Sequence, residues 1–242
     1  MKKLFTLFLV VSTILFANEA EDIVKKIDNN LRGKNVYLQM TMKITSMGHE
    51  RTMKMQNWAQ GSKKSFVKTI YPPKDKGITF LSLDNQMWQY VPKIERVIKI
   101  PASMMLQNWM GSDITNDDVV RQSSLIEDYI PKILKKEGGI VTLELVAKEE
   151  AAVVWSKIIS QIDTSTYTSQ KDLFYDEEDT AVRVFTFDKV KKVGDYYIAQ
   201  YWKVQAIDKE DSFTEIFIDE VQYDIEISDQ YFRKSALKRF SR

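Results

Sequence analysis

The sequence holds no cysteine and a single histidine, His49, in 242 residues. Without thiols there is no disulfide, thiolate zinc site, iron–sulfur cluster or cysteine nucleophile. One imidazole also excludes a His-rich metal centre and a His pair. An excess of either charge is missing too: 35 Lys and Arg stand against 34 Asp and Glu. A partner held by nucleic-acid phosphates needs a clear basic surplus, so no nucleic acid is expected. No Gly/Ser- or Pro-rich linker and no internal repeat divides the chain, which has only 8 Gly and 5 Pro. Residues 18–242 are therefore expected to form one domain. With 44% hydrophobic and 29% charged residues, the composition is globular and not disordered.

One long apolar run exists, at the start. Lys2 and Lys3 precede residues 4–16, which are almost wholly apolar, and Ala17 leads into Asn18-Glu19-Ala20-Glu21-Asp22. Basic, greasy, then small is the order of a secretory signal peptide, here residues 1–17 with cleavage after Ala17. The run is about 13 residues, short of the roughly 20 that a membrane-spanning helix needs. The mature protein is expected outside the cytoplasm.

The rest alternates. Val36, Leu38, Met40, Met42 and Ile44 share one face of a strand, and Tyr37, Gln39, Thr41, Lys43 and Thr45 share the other. Gly48-His49 turns into a second alternating run, 53–58. Further strands are expected at 65–71, 78–83, 87–91, 94–100, 125–135, 140–147, 166–175, 182–190, 196–206 and 213–227. Turn residues such as Pro72-Pro73, Asp84-Asn85, Gly138-Gly139 and Gly194-Asp195 separate them. Helices are few. Residues 19–31 place Ile23, Ile27 and Leu31 on one face with Gly33 just past the end. Residues 102–110 are short, apolar and Met-rich. Thr115 with Asp118 resembles a capping box, and helices are expected at 153–162 and 230–240. About ten or eleven long strands cannot stay flat, because twist curls them into a sandwich or rolls them toward a barrel. The fold class is mainly β with a few helices: a strongly curved antiparallel sheet with short helices over its concave mouth.

Residues 71–120 carry an ordered set of motifs. Pro72, Pro73 and Gly77 are followed by Trp88, Tyr90 and Pro92. Arg96, Lys99, Ile100 and Pro101 come next, then Met110, Gly111, Ser112, Asp113 and Asp117. This stretch resembles the periplasmic outer-membrane lipoprotein-sorting family, the relatives of the lipoprotein carrier LolA. The resemblance implies an incomplete, strongly curved β-barrel with helices covering its mouth, in the periplasm of a Gram-negative bacterium. It implies a lipid or acylated-lipoprotein ligand in an apolar concavity. For some members it implies an inner-membrane partner, a transporter of the resistance-nodulation-division (RND) type. Where the classical carriers set a gating Arg on an early strand, this chain has Lys63 and Lys64 before Phe66.

Little else carries chemistry. Met104, Met105, Leu106, Trp109 and Met110 are candidates for a lid against acyl chains, since Met repacks easily; an ordinary buried segment is the plainer reading. Val36, Leu38, Met40, Met42 and Ile44 are candidates to line the pocket, or plain core. Gly111-Ser112-Asp113 with Asp117 and Asp118 lacks the calcium-loop pattern and is read as a capped turn. Asp176 to Asp179 are read as a solvated turn. His49, on a turn, has no oriented partners, and Ser112 lies in no nucleophile elbow. No cofactor, no metal and no enzyme activity are expected. The expected function is non-covalent carriage of lipid or lipoprotein acyl chains toward the outer membrane. An accessory subunit docking on an RND-type transporter and a lipid-directed hydrolase are the alternatives.

Overall fold

The computed structural model describes residues 19–121, 125–151 and 153–242. The expected signal peptide, residues 1–17, lies outside them.

Residues 19–32 form helix α1. The strands of the first half are β1 (Asn35–Ser46), β2 (His49–Gln60), β3 (Lys64–Tyr71), β4 (Thr79–Leu83), β5 (Gln86–Val91) and β6 (Arg96–Ile100). A long connection follows, with 3-10 turns at Ala102–Met104 and Trp109–Gly111 and helices α2 (Asn116–Arg121) and α3 (Leu125–Asp128). The second half holds β7 (Tyr129–Glu137), β8 (Ile140–Ala147), β9 (Lys157–Asp163), β10 (Thr168–Tyr175), β11 (Ala181–Val193), β12 (Tyr196–Ala206) and β13 (Ser212–Tyr223). A 3-10 turn at Asp229–Phe232 and helix α4 (Lys234–Arg239) end it.

All thirteen strands belong to one open antiparallel sheet, ordered β6-β5-β4-β3-β2-β1-β13-β12-β11-β10-β9-β8-β7. Every strand but β1 and β13 pairs only with a sequence neighbour; those two meet in the centre, with Met42 opposite Ile216 and Ile44 opposite Thr214. Two meanders are thus joined along a central seam. The chain between β6 and β7 runs from one sheet edge to the other, and its Met104, Met105, Trp109, Met110 and Ile114 pack on the core of the concave face.

Alternation decides which residues face inward. Val36, Leu38, Met42 and Ile44 are buried on β1, with Met53 and Met55 across from Met42 and Met40 on β2. At the other end α1 lays Ala20, Ile23, Val24 and Ile27 on Val141, Leu143, Leu145 and Ile158. Gly33 ends that helix with φ of 52°, and its N–H donates to Asn29 O at 2.8 Å. A third cluster lies on the opposite, outer face. There Phe66, Leu81, Trp88 and Tyr90 are covered by Ile227, Phe232, Ala236 and Leu237 of the C-terminal segment.

Three expectations are corrected. Residues 153–162 do not form a helix: 157–163 are strand β9, in which Ile158, Ser160 and Ile162 are buried in alternation. Their three apolar residues fit a helical stripe by number but not by register. Residues 125–128 are a helical turn and not the start of a strand, which begins at Tyr129. The Met-rich stretch 102–110 is two 3-10 turns and not one helix, because Met110 (φ 54°) and Gly111 (φ 76°) both turn left-handed.

Candidate functional site

The concave face of β1 to β3 and β7 to β13, helix α1 and the β6–β7 connection line a partly open cavity of about 200 Å³. Its wall is mostly apolar: Ile27 and Leu31 from α1, Trp109 and Ile114 from the connection, Leu145, Ile158, Phe174, Phe185, Trp202 and Ile216 from the sheet. A smaller space of about 40 Å³, sharing Leu31, Asn57, Ser65, Val119, Ile198 and Trp202 with it, is lined by Val36, Leu38 and Ala59.

The ten expected lipid-contact residues divide three ways. Met40 and Trp109 line the larger cavity, and Val36 and Leu38 line the smaller space. Met42 and Ile44 are core, and Met104, Met105 and Met110 pack against that core as its partly buried cover. Leu106 points outward, 60% exposed. Trp109 meets Phe80 edge-on at 5.2 Å. Its buried indole N–H has no hydrogen-bond partner among the described residues.

The expected motif residues turn out to hold the cover and the outer face. Gly77 has φ of 85°, and a Cβ there would lie 2.5 Å from Ser241 O and 3.3 Å from Pro92, so only glycine fits. Trp88 and Tyr90 point to the outer face, beneath the C-terminal segment, with Lys234 Nζ 4.5 Å from the Trp88 ring. Pro92 and Pro101 start 3-10 turns. Gly111 allows the reversal that buries Ser112, whose hydroxyl donates to Trp109 O at 2.7 Å. Asp113 fastens the turn to the sheet seam: its N–H donates to Thr214 Oγ1 at 2.9 Å, and that hydroxyl donates to its carboxylate at 2.7 Å. Arg51 on β2 donates to Met110 O at 3.1 Å and to Asp75 at 2.7 Å. The connection also closes on itself, with Asn116 Nδ2 donating to Met104 O at 2.9 Å and the Asp117 N–H to Met105 O at 3.1 Å.

A second fastening was not expected. Asp118 accepts from the Thr115 N–H at 2.7 Å and from its hydroxyl at 2.8 Å, which is the capping box foreseen from the sequence. The same carboxylate takes a forked pair from Arg183 on β11, at 2.6 and 2.8 Å. Arg183 lies among the rings of Trp155 (4.3 Å), Phe174 (4.6 Å) and Phe185 (4.9 Å). Burial alone would raise the Asp118 carboxyl. The Arg183 charge and the bonds from Arg183 and Thr115 outweigh it and hold the group below the usual carboxylate range.

One polar cluster interrupts the greasy wall. On β9 and β10, Ser160 faces Asp172 across the ladder, with Leu143 and Phe185 continuing the same inward row. The Ser160 hydroxyl donates to Asp172 Oδ1, and Ser160 Oγ lies 3.3 Å from Ser169 Oγ. Burial pushes the Asp172 carboxyl up to about 6, against the opposing pull of the two serine hydroxyls. Among the described residues Asp172 forms no ion pair. The sequence carried one signal of this cluster: polar Ser160 sits in the inward phase of the alternation Ile158, Ser160, Ile162.

His49 is exposed at the start of β2. Among the described residues no three His, Asp or Glu groups come close enough to hold a metal. No helix among them is long and apolar enough to cross a membrane.

A model of a family described as "uncharacterized protein" matches residues 61–239. No curated protein matches the chain. Three solved structures share its architecture. A DUF1329 family protein from Desulfovibrio piger superposes with a TM-score of 0.84 at 22% identity, covering 92% of this chain and 99% of that one. A domain named for outer membrane lipoprotein sorting, from Vibrio parahaemolyticus, gives 0.80 at 20% identity, covering 92% and 100%. A LolA superfamily protein from Nitrosomonas europaea gives 0.77 at 17% identity, covering 90% and 98%. These identities speak for the fold alone, and the fold is the curved open sheet that the motif resemblance implied. Because the family model spans well over half of its length, this protein belongs to that family of uncharacterized proteins, and it is built on a LolA-like sheet.

Proposed function

We propose that the protein is a periplasmic carrier that holds a lipid, or the acyl chains of a lipoprotein, in the concave cavity and releases it to a partner nearer the outer membrane. The observation that carries this reading is the mostly apolar, partly open space of about 200 Å³ between the sheet, α1 and the β6–β7 connection. Each CH₂ moved out of water contributes about 0.8 kcal/mol, so an acyl chain is held with no catalytic group at all. The cover suits reversible entry. Met104, Met105 and Met110 pack as unbranched, adaptable side chains on the core beside Trp109, the residue of this Met-rich stretch that reaches the cavity. The sorting role in the name of the Vibrio relative agrees with such a cargo.

Native mass spectrometry on protein purified without detergent, followed by solvent extraction, tests this. A co-purifying amphiphile is expected, and Ala199→Phe, which fills the wall from β12, should strip it while leaving the circular dichroism spectrum intact. A mass that stays bare after incubation with lipid vesicles contradicts the carrier reading.

A second reading, an accessory subunit docked on a membrane transporter, draws on one observation. Edge strand β6 is exposed at Arg96, Val97, Ile98 and Lys99, an unpaired, basic and apolar rim open to strand addition. That reading predicts a dry interior and loss of transporter pull-down when Val97 is replaced by Pro.

A further inference from the structure

The guest of the cavity has a polar end as well as a greasy one, and the wall is not neutral toward it. Among the described residues, the lining includes Asp117, Asp118, Asp128 and Asp172 but no Lys, Arg or His. Asp118 is matched by Arg183. Asp172 is met only by hydroxyls, from Ser160 and Ser169.

Hydrogen counting sharpens this. A serine hydroxyl has one hydrogen to give. That of Ser160 is directed to Asp172. That of Ser169 has its acceptors inside the cluster, Ser160 Oγ at 3.3 Å and the Asp172 carboxylate. What remains for a guest is lone pairs: those of the carboxylate and of the two serine oxygens. An acceptor-only cluster on a low-dielectric wall attracts donors, and it repels an anion that no nearby cation offsets.

Resting on the carrier reading, we propose that Ser160, Ser169 and Asp172 receive the hydrogen-bond-donating end of an amphiphile, an amine or a hydroxyl, and exclude carboxylate and phosphate ends from the cavity. A lipid with an anionic head group then binds with its chains inside and its head outside, whereas an amine- or hydroxyl-terminated amphiphile enters polar end first. Burial favours the neutral carboxyl, but at pH 7.5 Asp172 is mostly ionised, its pKa lying at about 6, so the repulsion operates there.

The probes are dodecylamine, 1-dodecanol and dodecanoate, each below its micelle-forming concentration, titrated by calorimetry into the full-length mature protein at pH 7.5. The chain is the same in all three, so the end group alone varies. Dodecylamine is expected to bind about tenfold to a hundredfold tighter than dodecanoate, the range a charge-assisted hydrogen bond spans, with 1-dodecanol between them. Asp172→Asn should weaken dodecylamine by about tenfold, strengthen dodecanoate, and leave 1-dodecanol within a few-fold. Ser160→Ala, which withdraws one donor from Asp172, should move dodecylamine and dodecanoate in opposite directions. Equal affinity of the wild type for dodecylamine and dodecanoate overturns the proposal and leaves the carrier reading standing. So does an Asp172→Asn variant that shifts all three probes alike. Failure of all three probes to bind overturns both.

Discussion

Replacing Asp172 by Asn should stabilise the empty protein, by an amount set by pH. The carboxyl rises from 3.8 to about 6 on folding because it sits in the apolar wall with two serine hydroxyls and no cation. At about 1.4 kcal/mol per pH unit, that shift costs the native state up to about 3 kcal/mol once the group is ionised in both states. Asparagine keeps an acceptor for Ser160 but must bury an amide, which takes back about 1 kcal/mol. The net gain is about 2 kcal/mol, or about 4–8 °C in melting temperature for a chain of this size. The sign follows from proton binding. The folded pKa lies above the unfolded one, so between about pH 4 and pH 6 the native state holds more protons. Stability therefore falls as pH rises through that window. The gain in Asp172→Asn should be complete at pH 8, more than half gone at pH 5 and slightly reversed at pH 4, where the amide cost of about 1 kcal/mol exceeds what is left of the carboxylate penalty. Urea denaturation of both proteins at these three pH values reads it directly. An equal gain at pH 8 and pH 4, or none at pH 8, refutes the argument that an ionised, poorly matched carboxylate faces the cavity.

Other outcomes follow from the fastenings. Arg183→Met leaves Asp118 buried without its charge partner and should lower stability by about 3–5 kcal/mol; Asp118→Asn added to it should restore part of the loss, and a purely additive double-mutant cycle would contradict the pairing. Gly77→Ala places a Cβ 2.5 Å from Ser241 O at φ 85°, so it should cost about 2 kcal/mol or more in thermal melts and expose the C-terminal segment to carboxypeptidase. Met105→Asp buries a charge in the cover and should lower the melting temperature and bound lipid together, whereas Leu106→Asp, at an exposed position, should leave the melting temperature unchanged. If the two variants behave alike, the cover does not sit as described.

Much of this fold was legible because strands declare themselves by alternation. Residues 36–45 alternate cleanly in the sequence and β1 occupies them with one residue added at each end, while β8 and β12 have the bounds expected for them, 140–147 and 196–206. The motif set in 71–120 pointed to the right family of shapes before any geometry was known. Residues 153–162 misled because Ile158, Ile159 and Ile162 satisfy a helical stripe as well as a strand, and short apolar runs do not separate the two. The cavity was not legible. Its wall draws on α1, the connection and strands from β1 to β13, which sequence spacing does not bring together. Asp172 lies in TSQKDLFY, which reads as a surface strand until the register of β9 and β10 sets it opposite Ser160. Arg183, too, gave no sign of being buried, since its partner stands 65 residues away.

The sheet's central pair has a temporal consequence. β1 is the first strand made and β13 the last, and each supplies the other's inner neighbour. During synthesis, β1 can pair with β2 on one side and keeps its other edge bare until β13 arrives. The core under the β6–β7 connection draws on residues from both halves, so it is complete only when the second half has folded. Such long-range closure is slow, and the partly made chain is sticky. The central seam, and with it the continuous curved sheet, is therefore complete only when the last strand is in place.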